Sequence, residues 1–255
     1  MRMTSLGYQA SSLKAYLSTP DDLLTTFRRL RDIGYRHLQL QWIDPTVPLE
    51  FTAEALRETG LTCIATQDGF DEVRNNLEYY IKMNHLWGSV SLCVSSFPRA
   101  QMTSDGISHF CTEMDRMAHV LGEQGISLTF HPLGFNFEPV DGVCAVDTIM
   151  QTLSKEVGLT LCIYPAVRSG LNPVKLLERY SGRVEICHFK DSAVFPDGRE
   201  CLVPLGQGQI DWPPIFEACH RTGVKWGLVE QENWQKDAFV CAKESFDYIS
   251  GRGIT

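Results

Sequence analysis

A (β/α)8 barrel in a single domain is the fold the sequence predicts, on three observations. Short apolar runs alternate with longer amphipathic ones about eight times over 255 residues. Alternation of this kind builds a parallel sheet with right-handed crossovers. The short runs are nearly all apolar, as strands covered on both faces must be. No GxGxxG follows the first run, which weakens the case for an open dinucleotide-binding sheet. Eight units in roughly 250 residues suit a closed barrel better.

The elements follow in order. MTSLGYQ reads as the first strand. PDDLLTTFRRLRDIGY reads as a helix, with Leu23, Phe27 and Leu30 on one face, Asp21 and Asp22 at its N-terminus and Gly34 at its end. RHLQLQW is the second strand, TAEALRETG a short helix closed by glycine, and LTCIATQ the third strand. FDEVRNNLEYYIKMNHLWG is expected as one helix before the fourth strand, SVSLCVSSF. SDGISHFCTEMDRMAHVLGEQG is a long helix, ISLTFHP the fifth strand and AVDTIMQTLSKEVG the next helix. LTLCIYP is the sixth strand and NPVKLLERYSG a short helix. RVEICHFKD is the seventh strand, DWPPIFEACHRTG a helix, VKWGLVEQE the eighth strand, and DAFVCAKESFDYISG the closing helix. No linker, low-complexity segment or charge run interrupts the series, so one domain is expected over residues 1–255.

Composition narrows the function. The net charge is −8, which argues against general nucleic-acid binding. No run approaches the roughly 18 apolar residues of a membrane span, and the N-terminus has no apolar signal segment. Nine cysteines, an odd number with no CxxC spacing, sit mostly in apolar runs such as those around Cys63, Cys93 and Cys187. They read as buried thiols in a reducing compartment, so a cytoplasmic location is expected.

The strand ends carry the chemistry, because a barrel of this kind places its site at the C-terminal ends of its strands. Those ends offer Gln39, Gln41 and Trp42; Gln67 and Asp68; His131; Cys162 and Tyr164; His188, Lys190 and Asp191; and Glu230, Gln231 and Glu232. His131, Cys162, His188 and Glu230 are all types that bind divalent metals, and they come from four neighbouring strands. Lys190 and Asp191 either seal the barrel top as a salt bridge or face a ligand, Lys190 as a point charge. Arg168 adds a second cation after the sixth strand. VPLGQGQIDW, which contains Gln207, has two glycines that allow close backbone approach to a ligand. Trp42, Phe135, Trp212 and Trp234 are candidates to stack on a sugar ring or to fill the core.

RVEICHFKD, VPLGQGQIDWPPIFEACHRTGV and WGLVEQE resemble the closing third of the xylose isomerase-like family of sugar phosphate isomerases and epimerases. LGYQ, LRDIGYRHLQLQ and SGLNPVKLLERYSGRV extend the resemblance over nearly the whole chain. Inosose dehydratases and endonuclease IV-type barrels belong to the same group. The resemblance implies a TIM barrel with a divalent metal at its mouth, held by two Glu, one Asp and one His. His188 and Glu230 match the family histidine and final glutamate. Cys162 stands where Asp is usual. In HPLGFNF, His131 and Phe137 match, Leu133 replaces a second histidine and Asn136 a glutamate, with Glu138 no obvious substitute; Gln39 stands at another glutamate position.

With carboxylates lost, the set His131, Cys162, His188 and Glu230 suits Zn2+ better than Mg2+ or Mn2+; Co2+ is the other cation the family admits. The implied reaction is proton abstraction next to a carbonyl, with Glu230 as base, Lys190 steadying the oxyanion and His131 assisting. Gln39, Trp42, Arg168, Gln207 and Trp212 are the expected substrate contacts. The expected partner is a sugar, sugar phosphate or cyclitol, with no nucleic acid and no membrane, and a homo-oligomer is compatible. A keto-sugar lyase shares the first step. The lost carboxylates also leave room for a non-catalytic sugar-binding barrel or subunit.

Overall fold

The computed structural model describes residues 5–252 and residue 254. Met3 and Thr4 of the first expected strand lie outside the described residues. In chain order come β1 (Ser5–Gln9), α1 (Pro20–Ile33), β2 (His37–Leu40), α2 (Leu49–Thr59), β3 (Thr62–Gly69), α3 (Phe70–Asn75), α4 (Leu77–Trp87) and β4 (Ser91–Ser95). Then follow α5 (Ser104–Glu123), β5 (Ser127–His131), a small hairpin of β6 (Pro139–Val140) and β7 (Val143–Cys144), α6 (Ala145–Thr152) and β8 (Val157–Cys162). The chain continues through α7 (Ile163–Arg168), α8 (Pro173–Arg179), β9 (Val184–Phe189), a second hairpin of β10 (Asp191–Val194) and β11 (Glu200–Val203), α9 (Trp212–Thr222), β12 (Trp226–Val229) and α10 (Ala238–Ser250). Among the described residues eight parallel strands close a barrel in the order β1-β12-β9-β8-β5-β4-β3-β2.

The predicted barrel is therefore the observed one, with local departures. The helix expected over FDEVRNNLEYYIKMNHLWG breaks at Asn76, whose backbone leaves the helical region (φ −130°, ψ 35°). Its side-chain amide donates to the carbonyl of Glu72, a local bond that competes with helix continuation. The helix after the fifth strand stops at Thr152 because Leu153 is extended, and Val157 already belongs to β8. The tail of the expected sixth strand turns into α7 at Ile163. A short 3-10 helix, Ala10–Tyr16, follows β1 where no element was expected.

Strand alternation positions the site, because successive side chains point to opposite faces. In and just beyond β9, Ile186, His188 and Lys190 share the inner face, while Cys187, Phe189 and Asp191 point out to the helices. Phe189 accordingly packs on Trp212 and Phe216 of α9. In and just beyond β12, Leu228 and Glu230 share the inner face in the same way. Ala65, Ile186 and Leu228 form an apolar layer in the barrel with Ile64, backed by Trp226. Above it the lining turns polar, starting with the hydroxyl pair Thr129–Thr160 at 2.9 Å. The main core is a separate, larger cluster between the strands and the helices.

Candidate functional site

Each polar group at the mouth arrives on a strand end, and the tightest cluster surrounds Glu230. Its carboxylate is 4% exposed. Oε2 lies 2.8 Å from Lys190 Nζ and 3.6 Å from His188 Nδ1; it also accepts from the Cys162 thiol at 3.6 Å. Oε1 accepts from Ser11 Oγ at 3.3 Å. Lys190 Nζ also reaches Glu232 Oε1 at 2.6 Å, so one ammonium serves two carboxylates.

This cluster determines the charge states. Burial by itself would raise the carboxyl of Glu230, but the Lys190 ammonium and then the two imidazoles overcome it and hold the group well below the usual carboxylate range. Burial would discharge Lys190, and the Glu230 carboxylate outweighs that, so the amine is held charged. Glu232 goes the other way: burial and the neighbouring Glu230 charge push it up. Its second oxygen, Oε2, is buried without a hydrogen-bond partner. Burial lowers the imidazoles from the ordinary 6.5, to about 3 for His131 and about 4 for His188, so both are uncharged near neutral pH.

A row of glutamines continues the inner face across β1, β2 and β3. Gln9 Nε2 donates to Gln39 Oε1 at 3.1 Å, Gln39 Nε2 to Gln67 Oε1 at 3.1 Å, and Gln67 Nε2 to Gln41 Oε1 at 3.1 Å. The same Gln39 oxygen accepts from His188 Nε2 at 2.6 Å. That bond puts the His188 proton on Nε2 and leaves Nδ1 as a bare lone pair. Gln39 is thus a neutral orienting group for His188, a role that its strand-end position did not reveal.

His131, Cys162 and His188 meet the requirements for holding a metal. Their ligand atoms all lie within 4.8 Å of one another, and all three residues are buried. The two rings stand 4.8 Å apart. His131 Nε2 and His188 Nδ1 are both buried without hydrogen-bond partners, an arrangement that is costly unless something occupies the space between them. Burial raises the Cys162 thiol well above its ordinary value, and a bound cation reverses that. Two imidazole nitrogens, a thiol and the nearby Glu230 carboxylate form a donor set of zinc type.

The other expected residues divide. Lys190, Glu230, Glu232, His131, Cys162, Gln41, Gln67 and Trp42 line one cavity of about 260 Å3. Arg168 is exposed and bound to Glu200 at 3.0 Å. Gln207 is exposed and donates to Glu244 on α10, away from this cavity. Trp212 is fully buried; its indole N–H donates to Asp191 Oδ2 at 2.8 Å, and its ring stacks on Phe216. The expected substrate contacts at Trp212 and Gln207 are therefore corrected to packing and surface roles. Asp191 does not pair with Lys190 either. It accepts backbone N–H bonds from Ser192, Gly206, Gly208 and Ile210, and so ties down the VPLGQGQIDW loop. Gly206 needs its left-handed backbone there (φ 79°), and a Cβ at Gly208 would run into the Asp191 carboxylate. The two glycines serve this internal carboxylate. Asn136 is likewise structural: it donates to the carbonyl of Phe97 and accepts from the N–H of Leu133.

Solved structures with the same fold now become comparable. A sugar phosphate isomerase/epimerase from Parabacteroides distasonis superposes with a TM-score of 0.83 at 18% identity, covering 99% of this chain and 95% of that one. An L-ribulose 3-epimerase gives 0.78 at 16% identity, covering 97% and 94%. The fold is that of the xylose isomerase-like TIM barrels. A 3-keto-D-glucoside 4-epimerase from E. coli also shares this barrel, at a TM-score of 0.71 and 17% identity over 97% of this chain and 99% of that one. Among curated proteins, an inosose dehydratase from Lacticaseibacillus casei is 27% identical over 152 residues, 52% of this chain and 50% of that protein. The chain thus spans about half the length of the curated relatives it matches. No family model matches it.

The closed barrel also brings together residues that the strand-end pattern alone does not join. Glu232 stands in the sequence only among the strand-end polar groups, yet just past the end of β12 it reaches the same Lys190 ammonium as Glu230. Ser11 reaches the site from the unexpected 3-10 helix, and Ser95 Oγ lies 3.5 Å from His131 Nδ1. The role expected of Glu230 as base does not fit its surroundings, because a carboxylate pinned to an ammonium and held low has little affinity for a proton.

Proposed function

We propose that the barrel mouth acts on a sugar-like polyol as an isomerase or epimerase, by taking a proton from the carbon next to a carbonyl. One observation carries the reading: two carboxylates share the Lys190 ammonium, Glu230 held low and Glu232 pushed up. Acids driven apart by their surroundings divide into a permanent charge and a proton carrier. Glu232 is then the base, with Oε2 free to receive the proton. The C–H bond breaks, the proton passes to Glu232, and the electron pair moves to the carbonyl oxygen beside the Lys190 ammonium. Glu230 keeps Lys190 charged throughout. The hydroxyl proton of the adjoining carbon passes to the former carbonyl oxygen as the carbon-bound proton returns to the former carbonyl carbon, which gives the isomer. Return of a proton to the original carbon on its opposite face gives the epimer.

His131, Cys162, His188 and Glu230 are the residues that would hold a divalent metal, zinc before magnesium, and such an ion would supply Lewis-acid stabilisation of the oxyanion. Removal of Gln39 would free the His188 ring to turn, so its hydrogen bond is a positioning contact. A keto-sugar or inosose-type lyase is the second reading, with the same first step followed by loss of the β-hydroxyl as water. The similarity to an inosose dehydratase favours it.

The test is exchange in D2O with a panel of keto sugars and keto cyclitols. Deuterium should enter next to the carbonyl with the wild-type protein and not with Glu232→Gln, while ligand binding persists. Full exchange by Glu232→Gln refutes the assigned base. Tight binding without exchange, with or without added Zn2+, Mn2+ or Co2+, supports a non-catalytic binding barrel instead.

A further inference from the structure

We infer that the substrate is an uncharged two-ring glycoside, held across two adjoining chambers of the mouth, and not a sugar phosphate. This rests on the reading of the mouth as a sugar site and adds the substrate class. The cavity over Lys190 measures about 260 Å3. A second, of about 240 Å3, opens beside it over β2 and β3 and under α4. Gln41, Trp42 and Gln67 line both. Each alone falls below the roughly 300–1,000 Å3 of a typical ligand pocket, and the two together fall within it.

Charge excludes phosphate. Lys190 is the single Lys or Arg in the two linings, and both Glu230 and Glu232 neutralise it. Asp44, Asp68 and Glu72 line the second chamber. Arg168, the other cation expected at the rim, is spent on Glu200. Even with a divalent cation at His131, Cys162 and His188, the five carboxylates of the two linings outweigh that cation together with Lys190 and the Lys14 ammonium beside Trp42. A phosphate dianion would therefore enter a field of net negative charge, whereas sugar hydroxyls find carboxylate and amide acceptors.

The second chamber also carries the surfaces on which a pyranose face stacks. Trp42 is 46% exposed and Tyr79 50%. Trp42 has a left-handed backbone (φ 58°), a strained conformation for a bulky side chain. The result is an indole standing in the wall between the chambers, with the Lys14 ammonium 4.9 Å from its centre. Strain at the one aromatic that both chambers share points to a ligand that crosses from one to the other.

The experiment is calorimetric or ligand-observed NMR titration of the whole protein with D-glucose, D-glucose 6-phosphate, maltose, cellobiose and trehalose. Binding is read without turnover, so a failure of the exchange reaction leaves this result intact, and the reverse also holds. At least one disaccharide should bind about tenfold tighter than glucose, a gain of roughly 1.4 kcal/mol. Glucose 6-phosphate should bind at least about fivefold weaker than glucose at low ionic strength, with the gap closing as salt rises. Tyr79→Ala should bring the preferred disaccharide down to the level of glucose. Tyr79 is half exposed, so this variant keeps its fold. Equal affinity for glucose and all three disaccharides, or no disaccharide binding at the highest concentrations the assay reaches, overturns the second subsite. Tighter binding of glucose 6-phosphate than of glucose overturns the exclusion of phosphate.

Discussion

Replacing Lys190 by Met tests the charge arrangement on which the proposed chemistry depends. The ammonium is 11% exposed, 2.8 Å from Glu230 and 2.6 Å from Glu232. Methionine keeps most of the apolar stem and removes the charge. Glu230 would then retain the long contacts from Ser11 and Cys162 and the uncharged His188 ring at 3.6 Å, none of which replaces the ammonium. Breaking a buried pair by removing one partner costs about 3–5 kcal/mol. At roughly 2–4 °C per kcal/mol for a chain of this size, the melting temperature at about pH 8 falls by about 10 °C.

The pH dependence has a definite sign. In the wild type Glu230 is held below its ordinary 4.5, so its contribution is full above that value and is lost as pH falls towards the folded value. In the variant burial and mutual repulsion raise both carboxyls, so they take up protons while folded. The variant therefore recovers stability relative to the wild type as pH falls towards about 5. Urea midpoints by circular dichroism at about pH 8 and about pH 5 measure the gap. Lys225→Met is the control. Its pair with Glu185 is equally short, 2.6 Å, but the two side chains are 45% and 42% exposed, so it should cost less than about 1 kcal/mol. A gap below about 1 kcal/mol for Lys190→Met at about pH 8, or one that does not narrow on acidification, would refute the reasoning.

Three further outcomes are expected. Asp191→Asn should destabilise the fold by about 2–4 kcal/mol in urea, because an amide NH2 meets donors where the carboxylate accepts from four backbone N–H groups and an indole; a neutral result would remove Asp191 as the anchor of its loop. His131 and His188 have folded values lowered from 6.5 to about 3 and about 4, so their contribution to stability is full above 6.5 and falls away below it as the unfolded chain takes up protons; nitrogen NMR at about pH 5 should find both rings uncharged, and titration near 6.5 would contradict their burial. Co2+ titration should give a thiolate-to-metal absorption band that Cys162→Ser abolishes, with His188→Ala lowering zinc content; unchanged zinc in His188→Ala places the metal elsewhere.

The barrel was legible in the sequence because its signal is local and repeated. Each apolar run and each glycine-closed helix stands on its own neighbours, and eight repeats leave one economical closure. The rim was legible too, because the strand ends named His131, Cys162, His188, Lys190 and Glu230 as a group. No helix among the described residues is long and apolar enough to cross a membrane.

Partnership was not legible, because it depends on which strands close beside which. Lys190 and Asp191 are adjacent in sequence and looked like a pair, yet strand alternation sends one into the mouth and the other towards α9. Lys190 then meets Glu230 and Glu232 just past the end of β12, about forty residues away, and Asp191 finds the indole of Trp212. The same closure puts Gln39 of β2 against His188 of β9, 149 residues apart. Sequence determined the fold, the rim and the types of group gathered there. Tertiary structure decided which carboxylate is held low and which is pushed up, because desolvation and Coulomb interaction depend on distances that only the closed barrel sets.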